Sequence, residues 1–221
     1  MIYREQFHQE LSELKLTVQT MANKTSDLFQ LAIDAFIEND LESAKSVLDR
    51  DEEINEMEKL INDKVSSLIA KQQPVASDLR SLVVAMKISS DLERMGDHAV
   101  NICKSTIRIN SHERKDSEKV LQNIDSMKEL ALDMLGASMS AYRNEDIKEA
   151  KKLMELDEDV DEIHQDNYLR ISKEFISNPD KKQVEHLLEY AFISRYIERF
   201  GDHVKNIGEE VFYLVKGETM E

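Results

Sequence analysis

The segment Glu93-Arg-Met-Gly-Asp-His-Ala-Val-Asn-Ile102 returns 105 residues later as Glu198-Arg-Phe-Gly-Asp-His-Val-Lys-Asn-Ile207, identical at seven of ten positions. A helical repeat needs only its hydrophobic period to persist. Here Glu, Arg, Gly, Asp, His and Asn persist as well as Ile. The chain is thereby constrained to two copies of one unit, each carrying an acidic motif.

The duplication extends well beyond the motif. Pro74 and Pro179, the two prolines, are also 105 apart. Upstream the offset becomes 106, where Asp51-Glu-Glu-Ile-Asn-Glu56 answers Asp157-Glu-Asp-Val-Asp-Glu162 and Asp40 answers Asp146. One single-residue insertion or deletion between Glu56 and Pro74 reconciles the two offsets. The seam falls near Asn110 to Glu113, dividing the chain into repeats over 1–110 and 111–221.

Apolar residues recur at helical spacing almost throughout, as in Phe7, Leu11, Leu14, Val18, Met21 and Leu28. Asp40 and Asp146 stand where helix N-caps are needed, and each proline biases the residue before it away from the helix. The spacing predicts helices over 4–38, 40–71, 76–109, 114–144, 146–177 and 181–216. Helices this long are typical of up-and-down bundles with short connections. The expected fold is all-α: two antiparallel three-helix bundles in tandem, packed together.

Composition removes several alternatives. Five glycines and two prolines in 221 residues leave little turn material for an all-β fold. A formal net charge of -16 with no concentrated basic patch argues against nucleic-acid binding. The N-terminal stretch has no apolar signal core, and no apolar run approaches the roughly 20 residues that span a bilayer. With one cysteine, Cys103, the chain can form no internal disulfide, and a cytoplasmic location is expected.

Glu93 and Asp97 are one helical turn apart and share a face, as do Glu198 and Asp202. Such pairs alone carry little information, since about 9 would arise by chance at this acidity. Their weight comes from repetition within a shared frame of Arg, Gly, His and Asn. A second strip recurs upstream: Asp51, Asn55 and Glu58 against Asp157, Asp161 and His164. Clustered carboxylates repel unless a cation compensates them, and oxygen donors suit hard cations such as Mg²⁺, Ca²⁺, Mn²⁺ or iron. Zn²⁺ fits such a set less well. Gly96 and Gly201, in mid-helix, point to close approach of a neighbouring helix or of a bound group. His98 and His203 lie about 140° round from the glutamates, which favours a supporting, interface or solvated role over direct ligation. Cys103 reads as a small packing residue.

The paired E-R-x-G-D-H-x-x-N-I motifs at 93–102 and 198–207, with Asp51-x-x-Ile54-Asn55 and Asp157-x-x-Val160-Asp161 upstream, resemble the tandem pattern of the PhoU phosphate-transport regulators. The resemblance spans essentially the whole chain. It implies metal ions held at the bundle surface by Glu93, Asp97, Glu198, Asp202, Asp157, Asp161 and Asp51. Iron is the first expectation, with Mg, Mn, Ca or Zn as alternatives. Asn55 replaces an acid in the first repeat, so that site is expected to be the weaker. The resemblance further implies a non-enzymatic, homodimeric regulator at the inner face of the membrane. It would bridge the ATPase subunit of a phosphate ABC transporter and a sensor histidine kinase, restraining uptake and signalling when phosphate is plentiful.

Two other functions compete. A carboxylate-bridged di-iron enzyme would need Glu-x-x-His on two helices. Glu5-x-x-His8 alone has that form, with Asp161-x-x-His164 a near miss. A metal-free helical adaptor would use the acidic stripes to dock a basic partner and would weaken with salt.

Overall fold

The structure, a computed structural model, describes residues 2–109, 118–177 and 179–220. Six helices follow in order: α1 (Ile2–Glu38), α2 (Leu41–Gln72), α3 (Ser77–Ile109), α4 (Glu118–Asn144), α5 (Ile147–Ile176) and α6 (Lys181–Lys216). There is no strand among the described residues. The six helices expected from periodicity are present with ends shifted by one or two residues. Residues 114–117 of the expected fourth helix, and the seam itself, lie outside the described residues.

The connections repeat as the sequence does. Asp40 caps α2 by accepting from the Glu42 and Ser43 amides, and Asp146 caps α5 by accepting from the Lys148 and Glu149 amides. Each cap follows a residue in the left-handed region, Asn39 (φ 59°) or Glu145 (φ 53°). Asn tolerates that conformation through local hydrogen bonding; Glu does so less readily. Asp180 opens α6 with a full capping box to Gln183. Asp146→Ala should therefore cost about 1 kcal/mol. Chemical denaturation measures it, and a cost near zero would mean that α5 does not rely on its cap.

α1, α2 and α3 pack against one another, as do α4, α5 and α6. The halves join through α3 on α6 and α1 on α4. Both contacts are antiparallel, because Lys87 meets Glu210 while Arg108 meets Glu189, and Lys15 meets Glu145 while Lys128 meets Asp34. Repeat-equivalent helices thus face each other across an approximate two-fold relation. The four form a ring, α1–α3–α6–α4, with α2 and α5 outside it.

The apolar core is continuous through that ring. Phe29 of α1 stacks on Phe200 of α6, ring centroids 3.7 Å apart, and Phe36 meets Tyr190 edge-on. The two bundles therefore share one core. Where α1 meets α4 the core is sealed by Lys128, which is buried yet reaches Asp34 at 2.9 Å and Asp125 at 2.8 Å. Its ammonium is held above the usual lysine range by these carboxylates, which outweigh the opposing effect of burial.

Candidate cation sites on the two bundles

Each outer helix lays its acidic strip beside the motif helix of the same repeat. Gly96 permits this in the first half: a Cβ there would lie 3.2 Å from Asp51 Oδ1 and 3.5 Å from Ile54. Gly201 does the same in the second, where a Cβ would lie 3.5 Å from Asp157 Oδ1. The close approach expected at both glycines is borne out, and it is what brings the two strips together.

In the first half, Asp51, Asn55 and Glu58 of α2 share a groove with Glu93 and Asp97 of α3. Burial raises the Asp51 carboxyl above its ordinary value, and the Asp97 charge raises it further. Burial likewise raises Glu93, helped by Asp97, Glu58 and Asp51. Asn55 donates to Asp51 Oδ2 at 3.4 Å, while Asp51 Oδ1 and Asn55 Oδ1 are buried without hydrogen-bond partners. Among the described residues none of these acids forms an ion pair.

The second half also has four acids, with Asp161 standing for Asn55 and His164 for Glu58, and gives them different company. Asp157, 4% exposed, accepts from Lys205 Nζ at 2.8 Å. Arg195 donates to Glu198 Oε1 at 2.7 Å and Arg199 to Asp202 at 3.0 Å. Burial still raises Glu198 and Asp161, Asp202 adding to the first and Asp157 to the second. His164 does not turn to the acids: its Nδ1 lies 2.9 Å from Ser194 Oγ, which also accepts from buried Asn167. The helix-face pattern placed His164 with Asp157 and Asp161, but the Ser194 hydroxyl engages its ring.

The donor set is suitable for a hard cation. It is all oxygen, two of its buried oxygens in the first half have no partner, and carboxylates with raised pKa values gain from a positive charge. Among the described residues no three His, Cys, Asp or Glu side chains stand together in an arrangement that could hold a metal ion, so a cation would have to draw these donors together.

The raised carboxyls set a sign for pH. A native pKa above the unfolded one means the native state binds more protons, so stability falls as pH rises through that window. At neutral pH the penalty is present in full, and a cation should relieve it. Added Mn²⁺ should raise the melting temperature at neutral pH and do so much less near about pH 4.5, where protons compete. Equal increments at both would mean these carboxylates do not bind the ion.

The motif histidines meet where the halves join. His98 and His203 stack with centroids 5.5 Å apart, His203 Nδ1 lies 2.9 Å from Asp91 Oδ1, and His98 stacks on Tyr196. Burial, with the charges of His203 and Arg199, pulls His98 down to about 4, leaving it neutral. Of the three roles open to them, both histidines take the interface one. Cys103 is fully buried and its thiol is pushed up to about 12, an inert packing residue as expected. Sequence reasoning missed Lys205, Arg195 and Asp91. Their signal was present as differences between the copies: Val100 against Lys205, Ser90 against Arg195, Asp91 against Tyr196.

Comparison with known proteins bears on the family and the fold. The family model described as the PhoU domain matches twice, over residues 18–106 and 124–211. The chain is 33% identical over 221 residues to the phosphate-specific transport system accessory protein PhoU homolog of Clostridium acetobutylicum, covering 99% of this chain and 98% of that one. It is 32% identical over 213 residues to the phosphate-specific transport system accessory protein PhoU of Escherichia coli, covering 96% and 86%. The crystal structure of the phosphate transport system regulatory protein PhoU from Streptococcus pneumoniae aligns with a TM-score of 0.87 at 28% identity, over 97% of this chain and 99% of that one. That of PhoU from Pseudomonas aeruginosa aligns with a TM-score of 0.89 at 27% identity, over 96% and 100%. The chain belongs to the PhoU family, a family of accessory and regulatory proteins, not of enzymes.

Proposed function

We propose that this chain is an accessory regulator of a phosphate transport system, restraining uptake and starvation signalling when phosphate is plentiful. The observation that carries the metal-dependent part of the reading is the first-half groove. Four carboxylates, Asp51, Glu58, Glu93 and Asp97, share it without an ion pair among the described residues, and Asp51 Oδ1 and the neighbouring Asn55 Oδ1 are buried without hydrogen-bond partners. A bound cation, iron first and Mg, Mn, Ca or Zn as alternatives, would supply the missing positive charge. Asp51, Glu93 and Asp97 would hold it in the first repeat; Asp157, Asp161, Glu198 and Asp202 are the corresponding donors in the second. The residues themselves set the distance and angle between an outer helix and its motif helix, and so the shape of the surface offered to a partner.

No helix among the described residues is long and apolar enough to cross a membrane. The chain would act in the cytoplasm, as a homodimer, through docking to the transporter's ATPase subunit and a sensor histidine kinase at the inner membrane face. Pull-down from membrane extract, with and without chelator, tests this. The ATPase subunit should be retained by the metal-replete protein and lost with chelator. Retention that ignores chelator but falls with salt would replace this reading with the metal-free adaptor.

A further inference from the structure

The two acidic clusters are built on equivalent frames, yet positions 100 and 205 carry valine and lysine. Lys205 projects from α6 onto α5 and places its ammonium 2.8 Å from Asp157 Oδ2, on a carboxylate only 4% exposed. Arg195 pairs with Glu198 Oε1 and Arg199 with Asp202 from more exposed positions, while Glu198 Oε2 is buried without a hydrogen-bond partner. In the first half Val100 offers no charge, Ser90 stands for Arg195, and Arg94 forms no ion pair among the described residues. Lys104 is exposed and acts on Asp51 only through space.

A buried carboxylate that already holds an ammonium gains little from a second cation, because breaking the existing pair must be offset first. We propose that Lys205 is a built-in cation that closes the second cluster, leaving the first as the chain's ion-responsive site. Asn55 alone argued for a weaker first site; the ion pairs argue for the opposite order. A neutral amide oxygen remains a good ligand for a hard cation, whereas a bound ammonium excludes one. The inference rests on the cation-binding reading above and assigns the two halves different tasks. In the second, Lys205 already holds the buried carboxylate Asp157, and the first answers to the ion.

The test is titration of the full-length chain with Mn²⁺ alone, reading free Mn²⁺ by electron paramagnetic resonance. Wild type should bind one Mn²⁺ in its tight class. Lys205→Val should add a second class, tighter at that cluster by at least about tenfold, which is 1.4 kcal/mol or more. Lys205→Arg should keep it closed. Val100→Lys should weaken the first site by a similar factor. That variant buries a charge where Val100 is 8% exposed, so the partly exposed Lys205 variants decide the matter if it fails to fold. Two equal classes in wild type, or a Lys205→Val isotherm identical to wild type, would overturn the inference while leaving the cation reading intact. Absence of Mn²⁺ binding by every protein would overturn both.

Discussion

Replacing Phe200 by alanine should cost about 3–5 kcal/mol, the largest stability effect expected of any single change in the motif. Phe200 is fully buried and lies diagonally across the four-helix ring, stacked on Phe29 at 3.7 Å with 20° between the planes. Removing it empties volume shared by both repeats. For a chain of this size the melting temperature should fall by roughly 6–20 °C. Because the core is continuous, the transition should remain single. Two separated transitions would mean the halves are independent, and a loss below about 1 kcal/mol would mean the ring is loosely packed. Phe200 precedes Gly201 and Asp202, so the motif helix carries its packing and its acids on adjoining faces.

Glu93→Ala/Asp97→Ala should have two effects of opposite sign. In chelator the double variant should be more stable than wild type by about 1 kcal/mol, because it removes the half-buried Glu93 carboxylate and the Asp97 charge that crowds it and adds two good helix formers. With Mn²⁺ at about a hundred times its dissociation constant, wild type should gain about 2.7 kcal/mol and the variant almost nothing. Exposed Asp159→Ala on α5 separates the contribution of helix propensity. Denaturant titrations with and without the ion measure both effects. A chelator-treated variant less stable than wild type would mean that Glu93 and Asp97 are satisfied surface charges.

Much of the fold follows from local rules that a sequence displays directly. The helical period located the six helices, Asp40 and Asp146 marked the starts of α2 and α5, and the shared glycines signalled where an outer helix comes close. The way the copies meet is a different kind of information. Repetition establishes that α3 and α6 are equivalent, but not that they pack on each other and place Phe29 against Phe200. Nothing in the sequence distinguishes buried Lys128 from a surface lysine, because its burial depends on α1 and α4 arriving together. The acidic sites were legible as residue lists because their frame is repeated. The difference between them was not, since Val100 and Lys205 read as a tolerated change inside a motif until the 2.8 Å bond to Asp157 gives the lysine a partner. His164 was placed on the correct face but bonds Ser194, because Ser194 and Asn167 form a polar network that the first repeat lacks.

The most direct measurement is metal analysis of the protein purified without chelator, wild type beside Glu93→Ala/Asp97→Ala. If the first-half groove is a cation site, wild type should retain bound metal through purification and the variant should lose it at unchanged helical content. Equal metal in both proteins, or none in either, would contradict the account.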